Sequence, residues 1–106
     1  MPADISQSSD GKWALVTGSS GGIGAAIATQ LAAAKCNLIL QGHRHKDKAR
    51  KLAAMLQQEG VCVEVIPCDL ADSANCQTLA DQAWSIAPLD ILVNCAGADV
   101  LTGEAA

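Results

Sequence analysis

Tyrosine and phenylalanine are both missing from this sequence, and two tryptophans make up its entire aromatic complement, 2% of residues. Core volume must come from leucine, isoleucine, valine and alanine, and any chemistry that needs a phenol lies outside these residues. An excess of positive charge is missing too: seven Lys and Arg against eleven Asp and Glu leave a formal net charge of -4. General nucleic-acid binders carry a basic face, so nucleic acid is not expected as a partner. No apolar run approaches the ~20 residues of a membrane span, and no membrane partner is expected. Met1 to Asp10 has neither the basic start nor the apolar centre of a secretory signal, so a cytoplasmic protein is expected. The five cysteines, Cys36, Cys62, Cys68, Cys76 and Cys95, are odd in number and show no C-x-x-C spacing. Reduced, mostly buried thiols are expected, and no metal site.

Half of the 106 residues are hydrophobic and 17% are charged, which suits one folded domain. Residues 1–11 read as a flexible leader. Lys12 to Thr17 is a short apolar strand, and Gly22 to about Lys35 is a helix with Ile23, Ile27 and Leu31 as its apolar stripe and Asn37 as a break point. Leu38 to Gln41 is a second strand, and Gly42 to His45 connects it to a helix over Lys46 to Glu59, whose core stripe is Ala49, Leu52, Ala53 and Leu56 and whose cap is Gly60. Val61 to Pro67 is a third strand, which Glu64 marks as an edge. Asp72 or Ser73 caps a helix running to about Ala87, with Cys76, Leu79, Ala80 and Ala83 buried. Leu89 to Val93 is a fourth strand, followed by Asn94-Cys95-Ala96-Gly97 and a tail without clear pattern.

This alternation builds a parallel sheet through right-handed crossovers. The fold class expected is α/β, a Rossmann-like doubly wound sheet truncated after the fourth strand, in the order 3-2-1-4. The switch point falls between the first and fourth strands, so a ligand belongs at their C-terminal ends. At that place stands Thr17-Gly18-Ser19-Ser20-Gly21-Gly22-Ile23-Gly24, between a strand and a helix. Glycines let the backbone turn tightly and approach a bound group, and the unpaired N–H groups of the first helical turn favour an anion. The stretch is therefore read as a site for the pyrophosphate of a dinucleotide.

NAD-specific proteins of this architecture place an acid at the end of the second strand for the ribose 2′-hydroxyl. Here that place is near Gly42, and the residues that follow are His43, Arg44, His45, Lys46, Asp47 and Lys48. A basic run without an acid at the strand end suits a 2′-phosphate, which Arg44 would meet with a charge-assisted hydrogen bond. Lys46, Lys48, Arg50 and Lys51 also crowd a helix start, where the dipole disfavours positive charge and a bound anion would relieve it. NADP is preferred over NAD.

Thr17-Gly18-x-x-x-Gly22-Ile23-Gly24, Cys68-Asp69-Leu70 and Asn94-Cys95-Ala96-Gly97, in that order, resemble the short-chain dehydrogenase/reductases over about Lys12 to Gly97. Gly18, Gly21 and Gly24 also fit the GxxGxxG form of the extended branch, whereas Gly22-Ile23-Gly24 and the Asn-x-Ala-Gly element fit the shorter branch better. The resemblance implies a partial NAD(P)-binding domain over residues 12–106. In it Gly18, Gly22 and Gly24 shape the pyrophosphate loop, and Ser19, Ser20 and Ile23 line it. Asp69 accepts from the adenine amino group beside Leu70, and Asn94, Ala96 and Gly97 support the cofactor ribose and the central sheet. Cys95 departs from the family's second Asn.

The family's hydride transfer to or from a carbonyl or alcohol uses a Tyr-x-x-x-Lys pair and a Ser that all lie beyond the Asn-x-Ala-Gly element. None of them is in these 106 residues. The expectation is the cofactor-binding N-terminal portion of an NAD(P)-dependent oxidoreductase, inactive by itself, with a homo-oligomer and a small-molecule substrate belonging to the full-length enzyme. The alternative is a non-catalytic dinucleotide-binding or interaction module.

Overall fold

Four short apolar runs become the four strands of one parallel sheet: β1 (Trp13–Thr17), β2 (Asn37–Gly42), β3 (Val63–Pro67) and β4 (Ile91–Asn94). Three helices cross between them: α1 (Gly22–Ala33), α2 (Lys46–Gln57) and α3 (Ser73–Ile86). The computed structural model describes residues 11–19, 22–43 and 46–95. The leader up to Asp10, together with Ser20, Arg44, Ala96, Gly97 and the tail, lies outside the described residues. The strand order is β3-β2-β1-β4, as the alternation predicts. β1 pairs with β2 in the register Ala14 to Leu38 and Val16 to Leu40, and with β4 in the register Ala14 to Ile91 and Thr17 to Asn94.

The pleat sends alternate residues to opposite faces, and each face has its own core. Ala14, Val16, Leu38, Leu40 and Val63 meet Ala28 and Ala32 of α1 and Ala53 and Leu56 of α2 on one face. Leu15, Ile39 and Ile66 meet Leu79 and Ala83 of α3 on the other. Val16, Leu38, Ile39 and Leu40 are fully buried, each burial stabilising the fold by about 1.5–3 kcal/mol. This two-sided covering is why the strands read as continuous apolar runs. Glu64 is exposed on β3, which lies at the sheet edge as expected.

Two readings of α1 are corrected. Its buried row is Gly24, Ala28 and Ala32, whereas Ile23 is 64% exposed and Ile27 and Leu31 are only partly covered. The small residues of that row face the sheet, and the larger side chains flank the contact. Its end is not set by Asn37, which opens β2 and accepts the Cys62 N–H through Oδ1 at 2.9 Å. Lys35 ends it, in the left-handed region at φ 67°. The Cys36 N–H donates to the Leu31 carbonyl and the Lys35 N–H to the Ala32 carbonyl, a Schellman closure. The helix then stops at Ala33 and does not reach Lys35.

The remaining helices follow their signals more closely. Ala49, Ala53 and Leu56 of α2 are buried and Leu52 is partly so, and the Gly60 N–H closes on the Gln57 carbonyl. Asp72 is the N-cap of α3, its carboxylate accepting the Ala74 N–H at 2.9 Å. The expected α3 stripe is trimmed to Leu79 and Ala83, with Ala80 half-buried and Cys76 exposed. Of the five thiols, all free, Cys36 and Cys95 are buried, Cys68 is half-buried, and Cys62 and Cys76 are exposed. The expectation of mostly buried cysteines is corrected accordingly: Cys62 lies just before the edge strand β3 and Cys76 faces outward from the first turns of α3. No described helix is long and apolar enough to cross a membrane.

Candidate functional site

Parallel strands bring their C-terminal ends to one edge of the sheet, so the segments after Thr17, Gly42, Pro67 and Asn94 gather there. The turn after β1 is held from two sides. Gly18 sits at φ 66°, where a side chain would be strained, and Gly22 opens α1 at φ 59°. A Cβ built on Gly24 would come within 2.9 Å of the Gly18 carbonyl carbon and 3.0 Å of Ser19 Cα, and still closer to the Gly18 oxygen. Glycine at position 24 is what lets the helix start pack against the turn. A Cβ on Gly22, by contrast, would meet none of the described residues within 4 Å, so among them space is open beside the first turn of α1. That turn carries no acid, and its N–H groups and dipole suit an anion.

Ser19 is fully buried, and both its N–H and its hydroxyl donate to the Gln41 carbonyl at 3.1 Å. The side chain thus pins the turn to the end of β2, and Ile23 stands exposed beside it. Across the switch point, the Thr17 hydroxyl donates to Asn94 Oδ1 at 2.9 Å and lies 3.3 Å from the Val93 carbonyl, joining β1 to β4 where the crevice must open.

The loop after β3 carries Asp69 and Leu70. One carboxylate oxygen of Asp69 accepts the Ala71 N–H at 2.9 Å, an Asx-turn, and the Asp69 carbonyl accepts from Asn75 Nδ2 at 3.0 Å. Leu70 packs on the core that α3 covers. His43 Nδ1, just past β2, stands 3.8 Å from the same Asp69 oxygen with both side chains about half exposed, a contact worth under about 1 kcal/mol in solvent. The structure therefore brings Gly18, Ser19, Gly22, Ile23, Gly24, Asp69, Leu70 and Asn94 to one edge. Ser20, Arg44, Ala96 and Gly97 lie outside the described residues.

One residue of this edge escapes a reading by motif: Gln41. Gln41 is 3% exposed and hydrogen-bonded to both neighbouring loops. The available signal was a polar residue directly after the apolar run Leu38-Ile39-Leu40. Burial raises the thiol pKa of Cys68 beside the site, with the neighbouring Cys76, Asp69 and Asp72 adding to it, so this thiol stays protonated and a poor nucleophile near neutrality. Among the described residues, no three His, Cys, Asp or Glu side chains are grouped so as to hold a metal ion.

A glycine turn packed on a helix start at the switch point of a 3-2-1-4 sheet can hold a phosphate-bearing ligand, and proteins of known kind share it. The family model for short chain dehydrogenases matches residues 12–105. D-threitol dehydrogenase of Mycolicibacterium smegmatis is 44% identical over 89 residues, 83% of this chain and 34% of that protein. Fatty acyl-CoA reductase of Acinetobacter baylyi is 36% identical over 91 residues, 85% of this chain and 30% of that protein. Among solved structures, hydroxysteroid dehydrogenase from Escherichia coli superimposes with a TM-score of 0.76 at 33% identity, over 85% of this chain and 38% of that one. The 3-oxoacyl (acyl-carrier-protein) reductase of Agrobacterium tumefaciens, solved with NADP bound, gives 0.72 at 37% identity over 79% and 32%. The chain spans about a third of the length of these two curated relatives. With the family match running over nearly all of its length and the turn, sheet order and Asn94 edge in agreement, this chain belongs to the short-chain dehydrogenase family.

Proposed function

We propose that this chain is the dinucleotide-binding portion of an NAD(P)-dependent oxidoreductase acting on a small-molecule carbonyl or alcohol. The observation that carries the reading is the close approach of Gly24 to the Gly18 turn, together with the open space beside Gly22 among the described residues at the N-terminus of α1. In this reading residues 12–106 form the partial cofactor domain and residues 1–11 a leader. Gly18, Ser19, Ser20, Gly22, Ile23 and Gly24 form the pyrophosphate cradle, Asp69 and Leu70 flank the adenine, and Asn94, Ala96 and Gly97 support the ribose side. The cofactor, when bound, supplies the hydride. The chain's own residues bind and orient it, but without a tyrosine they have no group in the family's proton-transfer position. Hydride transfer, substrate choice and homo-oligomer formation are assigned to the longer enzyme. Five free thiols support a reducing, cytoplasmic setting.

NADP is the preferred cofactor because the end of β2, Gln41-Gly42-His43, carries no acid and Arg44 follows. The related reductase that was solved with NADP supports the same preference. Arg44→Asp should raise the Kd for NADPH by about tenfold or more, the value of one charge-assisted hydrogen bond, and leave that for NADH within about twofold. Fluorescence titration of both cofactors reads this directly. Equal effects on the two would remove the assignment of Arg44, and no saturable binding of either would remove the cofactor reading itself.

A further inference from the structure

One buried amide joins two loops that the sheet keeps apart. β1 and β3 are not neighbours, since β2 runs between them. Gln41, next to last in β2, spans the gap with its side chain. Its Oε1 accepts the Gly18 N–H at 2.7 Å, and its Nε2 donates to the Cys68 carbonyl at 2.6 Å. The partners fix the orientation of the amide, because a backbone N–H can face only oxygen and a carbonyl only nitrogen. The Gln41 carbonyl meanwhile receives both the N–H and the hydroxyl of Ser19, and the Cys68 N–H donates to Gly42 at 2.9 Å. At 3% exposure water does not compete for these bonds.

We infer that Gln41 is a positioning residue: it fixes the glycine turn after β1 against the Cys68–Leu70 loop after β3, and so sets dinucleotide affinity without touching the cofactor. The inference rests on the cofactor reading above. A dinucleotide bridges the two loops, adenine on the side of Asp69 and pyrophosphate on the side of Gly22, so its affinity depends on their separation. A ligand held by one loop alone does not. The bond to Gln41 also commits the Gly18 N–H, which leaves the phosphates to the amides at the start of α1. Glutamate at this position would keep the acceptor and lose the donor, and methionine would keep the shape and lose both.

The test compares the 106-residue chain with Gln41→Met, using NADPH as the bridging probe and adenosine 2′-monophosphate as the probe of the adenine side alone. Gln41→Met should raise the Kd for NADPH about tenfold or more, the loss of two buried hydrogen bonds, and change that for adenosine 2′-monophosphate by less than about twofold. Unchanged NADPH binding, or equal weakening of both probes, would overturn the inference, the latter because general loosening treats the probes alike. If Gln41→Met does not fold, Gln41→Glu should give the same split. Failure of the unmodified chain to bind NADPH would overturn the cofactor reading and the affinity role with it. The mechanical link is read separately, by amide exchange without ligand. Gly18 should exchange at least about tenfold faster in Gln41→Met while Leu38 to Leu40 stay protected, and equal exchange at Gly18 would refute the link.

Discussion

Single atoms decide the site. The missing Cβ of Gly24 lets α1 reach the turn, so Gly24→Ala forces a methyl group into the Gly18 backbone. Backbone cannot swing aside as a long side chain does. The variant should lose about 1–3 kcal/mol in urea denaturation and lose NADPH binding with it. Two thiols carry a pH signature. Cys36 is raised from the ordinary value of 9.0 by burial, then by Asp90, with Lys12 opposing, and Cys68 is raised chiefly by burial. A group whose folded pKa is raised keeps its proton in the folded state and gives it up on unfolding. Its stabilising contribution is intact below 9.0 and is lost as pH climbs through the raised value. Denaturation midpoints in reductant should therefore fall as pH rises above about 9, and Cys36→Ala should flatten that fall relative to the parent. The glycines were legible in the sequence because their role is a matter of residue type. Gln41 was not, because its role depends on which two loops lie on either side of it, and that is a property of the sheet order.

At the scale of the element, α1 shows where a hydrophobicity pattern misleads. Ile23, Ile27 and Leu31 are the most apolar row, yet Gly24, Ala28 and Ala32 face the sheet. Periodicity weighs side chains by oiliness, whereas the contact with the sheet selects them by size. Ala28→Leu should accordingly cost about 1–3 kcal/mol by overpacking, and Ile23→Ala at a 64% exposed position should change stability by less than about 0.5 kcal/mol. Thermal and chemical unfolding of the two variants side by side check the contrast. The helices with clear stop and start signals, α2 with Gly60 and α3 with Asp72, were read closely. The end of α1 was not, because Lys35 adopts a conformation that its residue type does not announce.

For the molecule as a whole, the order β3-β2-β1-β4 was legible because alternating strands and helices admit few arrangements. Among the described residues β4 pairs only with β1, and its Leu92 is 67% exposed on the face that α3 covers elsewhere. Trp84 and Ile86 of α3 are exposed as well. An open strand edge beside apolar side chains favours association. Sedimentation of the 106-residue chain should show concentration-dependent self-association, and Leu92→Lys should reduce it.

The hydrogen bond between Thr17 and Asn94 spans 77 positions in sequence, while Gly18 and Gln41 are 23 apart. Closing the longer loop costs more chain entropy and comes with slower, non-local pairing. The two halves of the crevice are therefore expected to form at different times. The glycine turn and its anchor on β2 can be in place while β4 is still undocked. In pulsed exchange during refolding, the β1–β2 amides should become protected before the β1–β4 amides, and Asn94 closes the crevice last.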